Sequence, residues 1–238
     1  MRSTATEIVP ADSSEVFERL KTGATAAWRG YVAHAFVSGL GDGSLPRESF
    51  LHYLKQDYLF LVHFSRAWGF AVAKSDRLSE MRAAATVVDA LLNHEMLLHV
   101  ETCAAEGIDE ASLAATVEAS ENLAYTRFVI DAGLRGDFLD LIVALAPCVL
   151  GYGEIGARLK AEAGATLARN PYRDWIETYA GQEYQQVCAM KRGLLEEATA
   201  ARLGAEPERS PRWADLQKTF ETATRLEIGF WDMGLRGV

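Results

Sequence analysis

The sequence predicts an all-α fold, on three observations. Apolar residues recur at steps of three and four nearly throughout. No stretch shows the sustained alternation of a half-buried strand. The breaks between apolar stripes are short and carry glycine, proline or capping residues. Candidate helices cover 13–38, 47–74, 76–105, 110–132, 137–166, 171–200 and 210–234. The first ends before Gly39–Pro46, a segment with three glycines and a proline. Ser75 is placed to cap the third helix, Gly107 and Asp109 separate the third from the fourth, and Gly133–Asp137 reads as a turn. Asn170-Pro171 and Ser210-Pro211 each set a capping residue before a proline at a first helical position.

These helices form one bundle that buries apolar stripes between its members, with residues 13–238 as a single domain. Residues 1–12 are expected to be loosely held. Nearly half the chain is apolar, enough for a sizeable core. The net charge of −9 and the lack of a Lys/Arg run argue against nucleic acid as a partner. Three cysteines without a CxxC do not describe a secreted disulfide framework. The opening residues contain no apolar signal core. The apolar run 138–153 carries Asp140 and Pro147 and is too interrupted for a membrane span. A soluble, cytoplasmic protein is expected, with no membrane partner.

Polar groups inside apolar stripes mark the candidate site. The second helix presents Phe50, Leu54, Asp57, Leu61, Phe64 and Trp68 on one face, with Phe60 close to Asp57. A carboxylate there is costly unless it finds a partner such as an arginine, or the face opens to solvent. The last helix shows Trp213, Leu216, Phe220, Ala223, Glu227 and Trp231. Glu227 should have a raised pKa and could donate a proton near neutrality, unless it pairs with Arg225 or Arg66. The fifth helix runs Leu141, Leu145, Cys148, Tyr152, Ile155 and Leu159. Pro147 should kink or open that helix and free a backbone acceptor beside the thiol. Cys148 is then either a nucleophile or a packing residue. Tyr125 and Tyr179 add phenols on two further helices. If these stripes converge, they enclose an apolar pocket with a few placed polar groups, suited to nucleophilic attack on a flat, electron-poor heterocycle.

The ordered blocks Tyr53-Leu54-Lys55-Gln56-Asp57-Tyr58-Leu59-Phe60, Ala124-Tyr125-Thr126, Pro147-Cys148 with Tyr152 and Glu154-Ile155-Gly156, Trp175-Ile176-Glu177-Thr178-Tyr179 and Glu227-Ile228-Gly229-Phe230-Trp231-Asp232-Met233 resemble the TenA/thiaminase II family. The match in order and spacing covers about residues 13–235. The resemblance implies a haem-oxygenase-like helical bundle, assembled as a homotetramer, that needs no cofactor. It also implies hydrolysis of an aminomethyl pyrimidine from degraded thiamin to the hydroxymethyl pyrimidine used in thiamin salvage, with cleavage of thiamin itself in some members. Carried over position by position, Cys148 would be the nucleophile and Glu227 the proton shuttle. Asp57 would hold the amino group and a ring nitrogen. Phe60 and Tyr152 would sandwich the ring, and Tyr125 and Tyr179 would bond near thiol and substrate. The cysteine places the chain with the cysteine-containing branch.

Two other readings follow from the same residues. A metal-dependent oxidase of this fold class would need ligands such as His94, Glu95 and His99, but the sequence has no Glu-x-x-His pair. The site is therefore expected to hold no metal. A non-catalytic pyrimidine-binding or regulatory protein would keep the pocket without turnover.

Overall fold

The computed structural model describes residues 15–236, and the expectation for residues 1–12 lies outside them. Twelve α-helices follow in order among the described residues: α1 (Glu15–Gly23), α2 (Thr25–Val32), α3 (Ala35–Asp42), α4 (Arg47–Lys74), α5 (Leu78–Ala90), α6 (Met96–Ala105), α7 (Glu110–Ala114), α8 (Ser120–Arg135), α9 (Phe138–Ala163), α10 (Arg173–Ala180), α11 (Gln182–Leu203) and α12 (Arg212–Arg236). A π-helical turn, Leu91–Glu95, joins α5 to α6, and there is no strand among the described residues. All-α is thus the observed class.

The predicted helices 47–74, 137–166 and 210–234 are each found as one helix, whereas 76–105 is divided by the π turn and three others are split as well. The 13–38 stretch is three helices, the last running on through Gly39 to Asp42, and the 110–132 stretch is two, the second running through Gly133 to Arg135, so each predicted break begins later than expected. The 171–200 stretch breaks at Gly181, whose backbone is extended. Ser75 does not cap the following helix. Its hydroxyl bonds back to the Ala71 carbonyl and closes α4 instead. Pro171 is not a first helical residue: Asn170 accepts from the Tyr172 amide in a turn, and α10 begins at Arg173. Ser210 Oγ likewise accepts from the Arg212 amide, so α12 starts one residue after Pro211. Asp109 does cap α7, and Asp137 caps α9 in a reciprocal box with Asp140.

Helix α9 is the axis of the bundle, and most of its residues are buried. By length and composition it could cross a membrane, yet most of its apolar stretch is covered by its neighbours. It remains α-helical through Pro147, and the carbonyl deprived of its helical donor is that of Val143. Two glycines let neighbours reach it. A Cβ at Gly151 would overlap the Tyr31 ring of α2, and one at Gly156 would stand 2.6 Å from the Tyr179 backbone of α10. The absent side chains therefore bring Tyr31 and Tyr179 against the two turns of α9 that follow Cys148.

Helix α4 lies beside α8, and its buried face is the predicted stripe Phe50, Leu54, Asp57, Leu61, Phe64 and Trp68. A buried amide pair fixes the α4–α8 register. Gln56 donates to Val117 O at 2.9 Å and accepts from the Ala119 amide at 3.0 Å, and Asn122 donates to Gln56 O at 2.8 Å. This positions Asp57 on α4 relative to Tyr125 on α8.

Far from that pair, an ionic network ties four segments together. Arg202 on α11 makes a forked pair with buried Glu80 at 2.6 and 3.0 Å and also reaches Asp76 at 2.8 Å. Arg212 on α12 grips Asp137 and Asp140, each at 2.8 Å. The Arg202 bonds hold Glu80 below its ordinary pKa. Its contribution is therefore complete above the unfolded carboxyl value and fades as pH falls through the lowered folded one. Removing one partner of such a buried pair costs about 3–5 kcal/mol. Arg202→Met is expected to lose that much in urea unfolding at pH 7, and less at pH 4 where Glu80 begins to take up a proton.

Candidate active site

All seven residues singled out from the sequence stand on the inner faces of α4, α8, α9, α10 and α12. Glu227 is 1 % exposed, and its carboxyl accepts a 2.7 Å hydrogen bond from the Tyr125 hydroxyl. Neither Arg225 nor Arg66 reaches it: Arg225 pairs with Glu221, and Arg66 meets His63. Burial pushes Glu227 up to about 8, Asp57 adds to the rise, and the Tyr125 bond only partly offsets it. Glu227 is thus a neutral carboxylic acid at pH 7.

Asp57 is also buried without an arginine. Its Oδ2 accepts from the Tyr53 hydroxyl at 3.5 Å and lies 3.5 Å from His99 Nδ1. Burial raises Asp57 to about 7. Glu95, at the end of the π turn, is raised to about 7, again by burial and then by Asp57. A π turn shifts the register of the side chains that follow it, and such turns recur at functional sites.

Cys148 is partly exposed, whereas Cys103 and Cys188 are buried. Burial of its sulfur pushes the Cys148 thiol well above its ordinary value, and the carboxyls of Glu227, Asp57 and Glu95 push in the same direction. Lys191 of α11 acts in the opposite sense. Its Nζ is buried 3.0 Å above the Trp68 ring and has no hydrogen-bond partner among the described residues. Burial holds the ammonium well below its usual pKa, while Glu95, Cys148 and Cys188 favour the charged form. Burial thus disfavours charge on the thiol and on all three carboxyls.

The walls are aromatic. Phe60 packs on Tyr125 and Phe230 with ring centroids 5.3 and 5.6 Å apart. Tyr152 packs on Tyr179 at 5.0 Å and Trp231 at 5.2 Å. Tyr53 joins the two groups, meeting Phe230 at 6.1 Å and Trp231 at 5.6 Å. The acids Glu227 and Asp57 both act electrostatically on Tyr152. Cys148, Trp175, Tyr179 and Tyr184 are half-buried at the edge of this centre.

Two voids lie elsewhere, and none of the seven residues lines either. One, about 10 Å³ between Trp68, Lys191 and α9, has room for roughly one water. The other is an open surface cleft of about 400 Å³ near Arg135, Asp140 and Lys218. Among the described residues, no three His, Cys, Asp or Glu side chains are grouped to hold a metal ion, and His99 turns to Asp57 and the Leu54 carbonyl.

Several residues at this centre were not singled out as site residues by sequence reasoning. Lys191 falls on the stripe Cys188, Lys191, Leu195, Ala198, so a charge at an apolar step was visible. Tyr31 and Tyr184 carried no such signal. Their hydroxyls cap the carbonyls of Pro147 and Val149, each at 3.3 Å, on either side of Cys148.

Comparison with known proteins agrees with this architecture. The chain is 37 % identical over 207 residues to a protein of Halalkalibacterium halodurans named aminopyrimidine aminohydrolase, covering 87 % of this chain and 89 % of that one. A Bacillus subtilis protein of the same name is 29 % identical over 220 residues, covering 92 % and 89 %. A crystal structure from Silicibacter sp. TM1040, described as a TenA family transcription regulator, superposes with a TM-score of 0.89 at 58 % identity, covering 92 % of this chain and 96 % of that one. A Shewanella denitrificans domain described as having a heme oxygenase-like fold shares the fold at 11 % identity, with a TM-score of 0.71 and 92 % coverage of each chain. Residues 23–237 match the model of the TENA/THI-4/PQQC family, and the chain belongs to that family.

Proposed function

We propose that this protein is an aminopyrimidine aminohydrolase of thiamin salvage, which converts an aminomethyl pyrimidine to the hydroxymethyl pyrimidine and releases ammonia, with Cys148 as its nucleophile. The observation that carries this reading is the buried Tyr125–Glu227 pair at 2.7 Å, an acid close enough to the thiol to act on its charge. The names of the relatives at 37 % and 29 % identity support the reaction class.

The proposed steps balance with Glu227 as the proton carrier. As Cys148 Sγ bonds to a ring carbon, the displaced electron pair moves onto a ring nitrogen, which takes the Glu227 proton. The carboxylate then accepts the thiol proton. Glu227 next protonates the exocyclic amine as the methylene C–N bond breaks, releasing ammonia. Water adds its hydroxyl to the methylene and returns a proton to Glu227. As the C–S bond breaks, its electron pair leaves with sulfur and Glu227 carries the ring-nitrogen proton to it, which restores the aromatic ring and the thiol. Phe60 and Tyr152 would flank the ring, Asp57 would bind its amino edge, and Tyr125 and Tyr179 would bond near the reacting atoms. Lys191 would offset negative charge on sulfur as the thiol ionises.

The proposal extends to a cytoplasmic homotetramer. Exposed apolar side chains Leu78, Met81, Leu92, Leu97 and Leu98 on neighbouring turns support an assembled form.

The test combines ammonia release with thiol labelling. The protein should release ammonia from aminomethyl pyrimidine. Iodoacetamide should alkylate Cys148 before the buried Cys103 and Cys188, and substrate should protect it. Equal labelling of all three thiols would remove Cys148 from the nucleophile's role. Tight pyrimidine binding with no ammonia would favour a regulatory protein, the reading supported by the description of the 58 % identical Silicibacter chain.

A further inference from the structure

Lys191 is a buried amine with no anion against it. Its Nζ stands 3.0 Å over the centre of the Trp68 ring, and it makes neither a hydrogen bond nor an ion pair among the described residues. The void of about 10 Å³ beside it is walled by Trp68 and by apolar residues of α9 and α11, among them Leu145, Ala146 and Val149. Those three stand one turn before Cys148 or next to it on α9, so Lys191 adjoins the turn that carries the thiol. One turn earlier on α11, the Cys188 thiol donates to the Val149 carbonyl at 3.5 Å. The proton of that second thiol is thus committed to the backbone.

Burying an unpaired ammonium is costly, and so is burying an unpaired thiolate, whereas the two charges together compensate each other. The titratable groups that act on Lys191 are Glu95 of the π turn, Cys148 of α9 and Cys188 of its own helix. Those that act on Cys148, or on which it acts, are Asp57, Glu95, Lys191 and Glu227 with the phenols Tyr31, Tyr125 and Tyr184. Of all these, only Lys191 becomes positive when it takes a proton. A carboxylate that took the thiol proton would turn neutral and leave the charge on sulfur unopposed.

Resting on Cys148 as the nucleophile of the reading above, we propose that Lys191 is the proton acceptor for Cys148 before substrate binds. The S–H bond breaks with its electron pair left on sulfur, and the lone pair of the Lys191 amine takes up a proton. A thiol and an amine become a thiolate and an ammonium, with no change in total charge. Glu227 cannot serve at this stage, because it still holds its own proton. It moves protons only once a ring nitrogen has taken that one. Lys191 acts through the thiol and is a positioning residue.

The test is the rate at which iodoacetamide alkylates Cys148 in the whole protein without substrate, followed by peptide mass spectrometry between about pH 7 and 9. The wild type forms its thiolate without exchanging a proton with solvent, whereas Lys191→Met must release one. The ratio of wild-type to variant rate should therefore be at least about 100-fold at pH 7 and fall about tenfold for each pH unit above it. Titration of the nearby carboxyls is common to both proteins and cancels in the ratio. A ratio above one that does not change with pH would make Lys191 a fixed charge and overturn the proposal. A ratio near one throughout would also overturn it. The fall should persist in a Glu95→Gln background, and its loss there would make Glu95 the partner of Lys191 instead. Nitrogen NMR of the lysine side chains in the wild type needs no variant: Lys191 must be a neutral amine at about pH 8, and an ammonium there would overturn the proposal too. A wild type that releases no ammonia from aminomethyl pyrimidine would remove the aminopyrimidine reading, while the thiol–amine exchange, measured without substrate, would stand.

Discussion

Cys148→Ser is expected to abolish ammonia release, with kcat falling by at least about 10⁴-fold. Removing a covalent nucleophile costs a hydrolase up to about 10⁶-fold, because the remaining groups act only on the intermediate it forms. Serine is close to cysteine in size, so the packing of α9 should survive. Its hydroxyl, however, ionises far less readily than a thiol. The site makes that difference worse: burial and the carboxyls of Glu227, Asp57 and Glu95 already oppose negative charge at residue 148. A thiol can still ionise there when substrate removes water and accepts the new bond. An alcohol, higher in pKa from the outset, cannot. Aminopyrimidine affinity should change by less than about threefold, because Asp57 and the aromatic walls remain. The measurement is kcat by ammonia release beside the product Kd. A kcat loss below tenfold would mean that Cys148 is a packing residue.

The residues that were legible in the sequence share one physical property. Asp57, Glu227 and Cys148 each interrupt an apolar stripe, so the helical period alone exposed them. Partners on other helices were not legible, because no local pattern states which helix will face which. Sequence reasoning offered Arg225 or Arg66 to Glu227, but the bundle supplies Tyr125 from α8. It offered an arginine to Asp57, and the actual neighbours are Tyr53 and His99. His99 and Glu95 were weighed only as metal ligands, and the π turn that precedes His99 is not revealed by periodicity. The capping roles given to Ser75 and Asn170 failed for another reason: one serine or asparagine can close a helix or make a turn as readily as start a helix.

The second large effect belongs to Glu227→Gln, and it separates catalysis from stability by moving them in opposite directions. Glutamine keeps the shape and can still accept the Tyr125 hydrogen bond, so the α8–α12 contact is preserved. It cannot carry a proton between thiol, ring nitrogen and amine. General acid–base groups contribute about 10²–10⁴-fold, and kcat should fall within that range. The wild-type rate should decline as pH rises through about 8, where Glu227 loses its proton, and this alkaline limb should be absent in the variant's residual activity. The linkage runs the other way for folding. The folded Glu227 keeps its proton up to about 8, whereas the unfolded carboxyl loses its own near 4. Between those values the native state binds more protons than the unfolded one, so wild-type stability declines as pH rises. Glutamine removes that decline. Glu227→Gln should therefore melt at or above the wild-type temperature at pH 8 while being nearly inactive. A variant that is both inactive and markedly less stable at pH 8 would show that Glu227 supports the bundle rather than the reaction.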